Sequence, residues 1–291
     1  MPSNEQRRAS AKRKLERQLE RRSQQAKRRR LLAIVGGSVA AVVVVAIAVY
    51  TVIATNQDHK DKQTPSSSSS SGNDGPSAAA GALPPFKPAA DLGANCQYPP
   101  APQPAGKPVK PPRQGKVPTD PAQVSVSMVT NQGHIGLLLA NNESPCTVNS
   151  FASLAQQKFF DNTKCHRLTA SPTSAVLQCG DPGGDGTGGP GYQFANEYPT
   201  DQFKPGDPAA HDPVTYPRGT LAMANSGPNT NGSQFFLVYK DTQLPPDYTI
   251  FGKIQQDGLA TLDKIAKGGV AGGGADGPPA AEVTIKSVLL D

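Results

Sequence analysis

Short stretches in which apolar and polar residues alternate fill the chain from about residue 122 onward. Residues 124–130 alternate, a turn follows at 131–133, and residues 134–139 return as the second arm of a predicted hairpin. Further runs with strand composition lie at 165–169, 175–180, 220–224, 234–239, 249–254 and 282–290. The pattern therefore predicts many short strands separated by Gly, Pro and Asn turns.

Two segments have helical spacing of their apolar residues. They are residues 147–158, with Ser144 or Thr147 as the candidate N-cap, and residues 257–267. Regularly spaced short strands with two helices predict a mainly β fold, built as a closed antiparallel barrel.

A different pattern, an uninterrupted apolar run, occupies residues 31–54. It has 24 residues, whereas about 20 suffice to cross about 30 Å of hydrocarbon. A cleaved signal peptide is the nearest alternative, but its apolar core has only about 7–15 residues. Arg28, Arg29 and Arg30 precede the run, and the positive-inside rule then places the N-terminus in the cytoplasm. We expect a single-pass cell-membrane protein whose remaining residues are extracytoplasmic.

The basic charge of the chain is confined to its beginning. Residues 1–30 hold 12 Lys and Arg against three Glu, a net charge of +9, and the other 261 residues have a net charge of −3. The rest of the chain therefore gives no reason to expect nucleic-acid binding. Binding of the arm to nucleic acid stays as an alternative, but the adjacent membrane span explains the arm better.

Residues 55–121 have the composition of a linker. They contain a run of six serines, 66–71, and then 12 prolines between Pro84 and Pro121. Such a segment buries too little apolar surface to offset its ordering entropy, so we expect a disordered spacer. The stretch around Cys96 would instead dock on the following domain if its thiol is paired. The predicted division is 1–30 basic arm, 31–54 transmembrane helix, 55–121 linker and 122–291 folded domain.

All four cysteines, Cys96, Cys146, Cys165 and Cys179, lie on the predicted outer side. An even count in an exported segment indicates disulfides, and three pairings are open. Four buried thiols are the alternative. No C-x-x-C is present and the histidines are scattered, so no metal site is predicted. The Gly-rich residues 180–189 lack the Gly-Lys-Ser/Thr ending of a phosphate loop.

Two blocks of sequence resemble the signature of a known family. Residues 221–237, LAMANSGPNTNGSQFFL, indicate by pattern alone only two short strands joined by a turn-rich stretch. The string nevertheless resembles the active-site segment of cyclophilins, the peptidyl-prolyl cis-trans isomerases. His166-Arg167-Leu168, followed by residues 177–181, LQCGD, resembles the HR…Q-x-GD signature of the same family. The resemblance covers roughly residues 122–291.

The resemblance implies an eight-stranded barrel capped by two helices, and an enzyme that acts on proline-containing polypeptides without cofactor or metal. It implies that Arg167 is the catalytic donor and that Gln178 orients it or contacts the substrate backbone. It further implies a substrate site formed by Met223, Ala224, Asn225, Gln234, Phe236, Leu244 and Tyr248. Met223, Phe236 and Leu244 would form the walls of a slot for the proline ring, and Tyr248 stands where many relatives have His.

Each of these residues also has a plain structural interpretation. Arg167 could be an ordinary strand arginine in an ion pair, and Met223 and Phe236 could belong to the core. Phe235 and Phe251 are expected in the core. His166 is expected to be a structural hydrogen-bonding residue, because bond rotation requires no proton transfer.

Three positions depart from the family pattern. Ala175 stands where relatives commonly have Phe, so one wall of the slot is expected to be missing or supplied from elsewhere. Gln243 replaces a Trp that is common near the groove of cyclosporin-sensitive members, and cyclosporin binding is therefore expected to be weak. Cys165 replaces a frequent Phe.

The sequence thus predicts a membrane-anchored extracytoplasmic isomerase of exported proteins. The alternative from another class is a non-catalytic module that binds proline-containing peptides on the same barrel, as a holdase or scaffold. The altered residue at Ala175 favours the binding module, whereas the combination of Arg167, Gln178 and Phe236 favours the enzyme.

Overall fold

The computed structural model describes residues 80–204 and 206–291. In chain order its elements are β1 (Gln123–Thr130), β2 (Gly133–Ala140), α1 (Pro145–Gln156), β3 (Thr163–Lys164), β4 (Arg167–Thr169), β5 (Val176–Cys179), β6 (Val214–Tyr216), β7 (Thr220–Met223), β8 (Phe235–Val238), β9 (Thr242–Leu244), β10 (Ile250–Ile254), α2 (Gln256–Gly268), β11 (Asp276–Gly277) and β12 (Thr284–Leu290). Short 3-10 turns lie at Thr200–Gln202, Pro208–His211 and Ala271–Gly273.

Ten of these strands form one curled antiparallel sheet, in the order β11-β4-β5-β8-β7-β10-β2-β1-β12-β3. The remaining two, β6 and β9, pair with each other as a separate ribbon. The prediction of a mainly β, antiparallel fold with two helices is confirmed. The predicted count of eight strands is wrong, because the curled, half-barrel sheet has ten strands. A single backbone bridge between Lys164 and Asp181 connects the edge strand β3 to the residues after β5.

Strand alternation creates the core. Val126 and Met128 of β1 and Ile135 and Leu137 of β2 are fully buried, and their neighbours in sequence are partly exposed. The apolar face of α1 covers this interior with Phe151. Its ring packs on three others at centroid distances of 5.0 Å (Phe160), 5.4 Å (Phe235) and 5.3 Å (Phe251). The expectation that Phe235 and Phe251 lie in the core agrees with this packing.

Ser144, one of the two predicted cap residues, occupies the N-cap position of helix α1, but its side chain does not cap the helix. The helix begins at Pro145, and the side chain of Ser144 makes no cap hydrogen bond but donates to the carbonyl of Ile250 at 2.7 Å. The acceptor at the helix start is Glu197, which receives the N–H groups of Cys146 (2.9 Å) and Thr147 (2.7 Å). Thr147 is therefore a donor to the cap and not the cap itself.

Residues 80–121, which we call the N-terminal belt, correct the prediction of a disordered linker. The belt lies against the domain, with Tyr98 2% and Val117 3% exposed, and Cys96 forms a disulfide with Cys146 at the start of α1. Composition failed here because the disulfide and a few buried anchors hold a proline-rich chain that has no core of its own. The alternative expectation, that the stretch around Cys96 docks on the domain if its thiol is paired, agrees with the structure.

The basic arm, the apolar run at 31–54 and linker residues 55–79 lie outside the described residues. Within the described part of the chain, no helix combines the length and the apolar character needed to cross a membrane.

Candidate active site

Arg167 and Gln178 face each other across two adjacent strands. They are register partners in the antiparallel pair β4 and β5, and Arg167 Nη1 donates to Gln178 Oε1 at 3.3 Å. A disulfide joins Cys165, two residues before Arg167, to Cys179, the residue after Gln178. The pairing and the cross-link together fix the relative position of the two side chains. The predicted disulfides are present, and the open pairing resolves to Cys96–Cys146 and Cys165–Cys179.

The guanidinium of Arg167 is held by a carboxylate from a distant loop. Arg167 Nε donates to Asp276 Oδ1 at 2.8 Å and Nη2 donates to Oδ2 at 2.7 Å, a bidentate pair. The hydrogen bond to Asp276 raises the pKa of Arg167, and the same bond lowers the pKa of Asp276. The side chain stays 46% exposed, so a permanently charged guanidinium is accessible from solvent in a fixed orientation.

A series of amide hydrogen bonds continues from Arg167 along the sheet. Gln178 Nε2 donates to Gln234 Oε1 at 2.8 Å. Gln234 Nε2 then donates to the carbonyls of Gly186 (2.9 Å) and Gly188 (3.0 Å). Since each amide both accepts and donates, these bonds fix the orientation of Gln178 and Gln234 and join Arg167 to the Gly-rich loop.

Asp181 organises that Gly-rich loop. Its fully buried carboxylate accepts the N–H groups of Gly183 (2.8 Å), Asp185 (3.1 Å) and Gly186 (2.6 Å). At Gly180, φ is +92° and a Cβ would lie 2.2 Å from the carbonyl oxygen of Ser233. Only glycine allows this approach, which brings the loop against the start of β8.

An apolar cluster lies beside Arg167 and Gln178 on the outer face of the curled sheet. Phe236, 4% exposed, is its centre, and the ring of Tyr248 packs edge-on against it at 5.7 Å. Leu244 and Ala224 pack on the same cluster and remain partly exposed. Because Phe236 is the register partner of Gln178, the cluster adjoins the polar pair.

The prediction that Met223 forms a wall of the proline slot is wrong. Met223 belongs to the main core, because alternation along β7 directs it with Leu221 to the inner face, whereas Ala222 joins Phe236 outside. Ala175 also belongs to the inner core, so it does not leave a gap in the outer cluster. Val176, the next residue, supplies that position.

Asn225 and Gln234, predicted to bind the peptide, lie beside the cluster with Ala224. Asn225 Nδ2 donates to the carbonyl of Asp247 at 2.8 Å, and its Oδ1 accepts the N–H of Gly227 at 3.1 Å. These bonds tie the end of β7 to the loop that presents Tyr248. His166 differs from its expectation: neither ring nitrogen has a hydrogen-bond partner among the described residues.

Sequence reasoning missed three contributors to this region: Val176, Tyr216 and Asp276. Tyr216 is fully buried, and its hydroxyl donates to the carbonyls of Pro245 (3.2 Å) and Tyr248 (3.0 Å), which fixes the loop under Tyr248. Val176 could have been found from its alternation with Gln178. Tyr216 and Asp276 carried no local signal.

A second concavity, which we call the side pocket, opens next to Gln178 and Gln234. Its volume is about 430 Å³. Its walls are the loop from Gly186 to Gln193, the segments around Asn225 and Gly232, and residues 101–103 of the N-terminal belt. Gln178 and Gln234 thus stand between the apolar cluster and the side pocket.

The arrangement offers a fixed guanidinium donor beside an apolar surface, with oriented amides next to both. Among the described residues, no group of three or more His, Cys, Asp or Glu is placed to hold a metal ion. The side chains at the centre of the site can hydrogen-bond a polypeptide and stabilise developing charge. Transfer of a proton is not required for either task.

Comparison with known proteins identifies the family. The model for "Cyclophilin type peptidyl-prolyl cis-trans isomerase/CLD" matches residues 125–289. A protein named "Probable peptidyl-prolyl cis-trans isomerase B" from Mycobacterium tuberculosis is 78% identical over 292 residues, covering 100% of this chain and 95% of the relative. Its namesake from Mycobacterium leprae is 70% identical, with 100% of both chains covered.

More distant relatives cover a little over half of the chain or less. The peptidyl-prolyl cis-trans isomerase B of Streptomyces anulatus is 36% identical over a 162-residue alignment that covers 50% of this chain and 84% of the relative. A solved cyclophilin-type isomerase of Cryptosporidium parvum is 31% identical and covers 58% of this chain and 98% of its own, with a TM-score of 0.46. The chain belongs to the cyclophilin-type peptidyl-prolyl cis-trans isomerase family and is an enzyme of that family.

Proposed function

We propose that Arg167 catalyses rotation about X–Pro bonds of exported proteins by donating a hydrogen bond to the prolyl nitrogen in the twisted state. The barrier of about 18–20 kcal/mol comes from C–N resonance. When the bond twists, resonance is lost and the nitrogen becomes a better acceptor. A donor fixed where that charge develops lowers the barrier without a nucleophile or cofactor.

The observation that supports this role is the fixed fork of Arg167. Asp276 occupies Nε and one N–H of Nη2, and Nη1 lies at the edge shared with Gln178 and the apolar cluster. In the proposal, the proline ring lies against Phe236, Leu244 and Tyr248. The flanking peptide groups bond to Gln178 and Gln234, along the sheet edge that runs to the side pocket.

The replacement Arg167→Ala tests the proposal in an isomerisation assay with a proline-containing peptide. We expect kcat/KM to fall by about tenfold or more. Removing one fixed hydrogen-bond donor from an oxyanion hole lowers kcat by about 10²–10³-fold. The melting temperature is expected to change little, because an exposed ion pair contributes about 0–1 kcal/mol. The matched control is Arg218→Ala, which removes a similar exposed pair with Asp263 at 2.6 Å.

The result that would contradict the proposal is near-native turnover by Arg167→Ala with intact folding. An equal loss in Arg218→Ala would also contradict it, since the loss would then follow from removing any surface arginine of this chain.

We also propose that residues 31–54 anchor the chain in the cell membrane and that the isomerase domain is extracytoplasmic. The apolar run and the preceding arginines support the orientation. The pairing of all four cysteines supports it independently, because disulfides persist in oxidising compartments.

Protease added to intact spheroplasts tests this orientation. We expect loss of the domain and retention of an N-terminal fragment that holds the basic arm and the span. A cytoplasmic protein that survives the treatment is the control for intact membranes. Protection of the whole chain until lysis would reverse the orientation and leave the isomerase activity itself unaffected.

A further inference from the structure

The N-terminal belt forms one wall of the side pocket and is joined to the loop opposite by backbone hydrogen bonds and a single bridge between Pro100 and Tyr192. The N–H of Gln193 donates to the carbonyl of Pro99 at 2.9 Å, and the N–H of Ala101 donates to Gly191 at 3.0 Å. Farther along, the N–H of Gly106 donates to the carbonyl of Gly189 at 2.9 Å. These backbone bonds fix residues 101–103 against the pocket, outside the residues matched by the family model, 125–289.

Buried anchors immediately before these residues hold the belt in place. Tyr98 packs edge-on against Tyr192 and Phe194, both at 5.6 Å. Its hydroxyl donates to the carbonyl of Cys146 at 2.7 Å, next to the Cys96–Cys146 disulfide. The pocket wall that follows therefore has a fixed position relative to the domain.

The side pocket has an uncharged lining. None of the described residues that line it is Asp, Glu, Lys, Arg or His. Most of the wall from the domain is glycine backbone and side-chain amide or hydroxyl, and the belt adds Ala101, Pro102 and Gln103. A charged side chain would lose hydration there without an opposite charge to compensate it, and this desolvation costs far more than that of a neutral side chain.

The pocket is continuous with the proposed proline site through Gln178 and Gln234. Both side chains line the pocket, and Gln178 also bonds Arg167. A peptide whose proline lies against Phe236 therefore has its neighbouring residues within reach of the belt. The belt is the part of this wall that the family domain does not contain.

We propose that Ala101, Pro102 and Gln103 determine which residues are accepted near the proline, and that they favour neutral side chains small enough for the pocket. The inference rests on the proposed function. In this proposal the belt takes part in substrate selection, and the substrate site is formed by the catalytic domain and the belt together.

The test measures kcat/KM of the full 291-residue chain on proline peptides in which the residue one, two or three positions before the proline is Gly, Leu or Lys. Ala101→Leu narrows the pocket. We expect it to lower kcat/KM for the Leu peptide at the position that enters the pocket by about tenfold, and for the Gly peptide by no more than about twofold. The control is Ala90→Leu, the same change at an exposed belt residue that does not line the pocket.

Gln103→Ala provides a second variant, because Gln103 is exposed and its truncation does not threaten folding. It widens the pocket and is expected to raise the ratio of kcat/KM for a Phe peptide over the Leu peptide by about threefold. In the wild type, the Lys peptide is expected to be the poorest of its series.

The proposal would be overturned by an unchanged ratio of Leu to Gly peptide in Ala101→Leu together with an unchanged ratio of Phe to Leu peptide in Gln103→Ala, as it would by equal losses for every peptide. If the wild type isomerises none of the peptides, the proposed function fails. Calorimetric binding of the same peptides then decides the belt proposal: a selective loss of Leu-peptide affinity in Ala101→Leu supports it, and unchanged relative affinity overturns it.

Discussion

Asp276 determines the direction in which Arg167 presents its free N–H groups. The carboxylate holds Nε and Nη2 at 2.8 and 2.7 Å, and without it a long flexible side chain would sample many rotamers. Catalysis by a fixed donor depends on such orientation more than on the charge itself. Asp276 is therefore a positioning residue in our interpretation.

Asp276→Ala is expected to lower kcat by about tenfold through misplacement of Arg167, with a smaller effect on KM. Asp276→Asn, which retains one acceptor oxygen, is expected to recover part of the loss. Steady-state kinetics on both variants provides the measurement. Asp263→Ala, which breaks the corresponding exposed pair with Arg218, is the matched control. Native kcat in Asp276→Ala would show that the ion pair with Arg167 has no role in catalysis.

The pH dependence of this residue follows from the direction of its pKa. Arg167 lowers the pKa of Asp276, so the carboxylate stays ionised at neutral pH and its stabilising contribution is lost only as pH falls through that lowered value. Near neutral pH, the fork of Arg167 is therefore insensitive to small changes of pH.

Site residues could be predicted from the sequence where they lie in one contiguous motif. They could not be predicted where a contact joins segments that are distant in sequence. Arg167, Gln178 and Gln234 lie in contiguous motifs, and the structure brings them together. Asp276 lies 109 residues from Arg167, in a Gly-rich segment with no pattern of its own. Met223 was placed in the slot because of its motif, although strand alternation puts it on the face opposite to that of Ala222 and Phe236. Here the alternation pattern was the better guide.

At the scale of elements, the start of α1 depends on one buried carboxylate. Glu197 is 9% exposed, and burial raises its pKa to about 7 although the hydroxyl of Thr147 and two backbone N–H groups favour the ionised form. In an unfolded chain the pKa returns towards the usual 4.5. The folded state therefore binds more protons than the unfolded state between these values.

The free energy of unfolding is expected to fall as pH rises from 4.5 to about 7, with Glu197 contributing up to about 3 kcal/mol. The contribution is fully present below 4.5 and is lost as pH passes about 7. Urea unfolding of the wild type and of Glu197→Gln across this range provides the measurement. The variant does not titrate, so its stability is expected to change less; identical pH profiles would contradict the shifted pKa.

Periodicity identified the long elements because burial of one face imposes it. The hairpin of β1 and β2, both helices and the strands from β7 to β12 with four or more residues were predicted close to their observed bounds. Strands β6, β9 and β11 have only three, three and two residues, too few for a pattern. The belt was misjudged because composition does not report a disulfide.

At the scale of the whole molecule, two disulfides serve different parts of the structure. Cys96–Cys146 closes a separation of 50 residues and fastens the belt to α1, whereas Cys165–Cys179 closes 14 residues beside Arg167 and Gln178. In the chain-entropy account, the longer loop contributes about 4 kcal/mol and the shorter about 3 kcal/mol. The first disulfide therefore stabilises the attachment of the belt to the domain, and the second holds the segments that carry Arg167 and Gln178 in position.

Replacing each pair by serines in the full chain is expected to separate these roles. Cys96→Ser with Cys146→Ser is expected to lower the free energy of unfolding by about 4 kcal/mol and to weaken selection among peptides, while turnover of the Gly peptide persists in the folded fraction. Cys165→Ser with Cys179→Ser is expected to lower turnover of every peptide, because the strand pair that aligns Arg167 with Gln178 loses its cross-link. Urea unfolding and the peptide series measure both effects. The separation of roles would be wrong if the first double variant lost turnover of all peptides equally, or if the second kept native turnover.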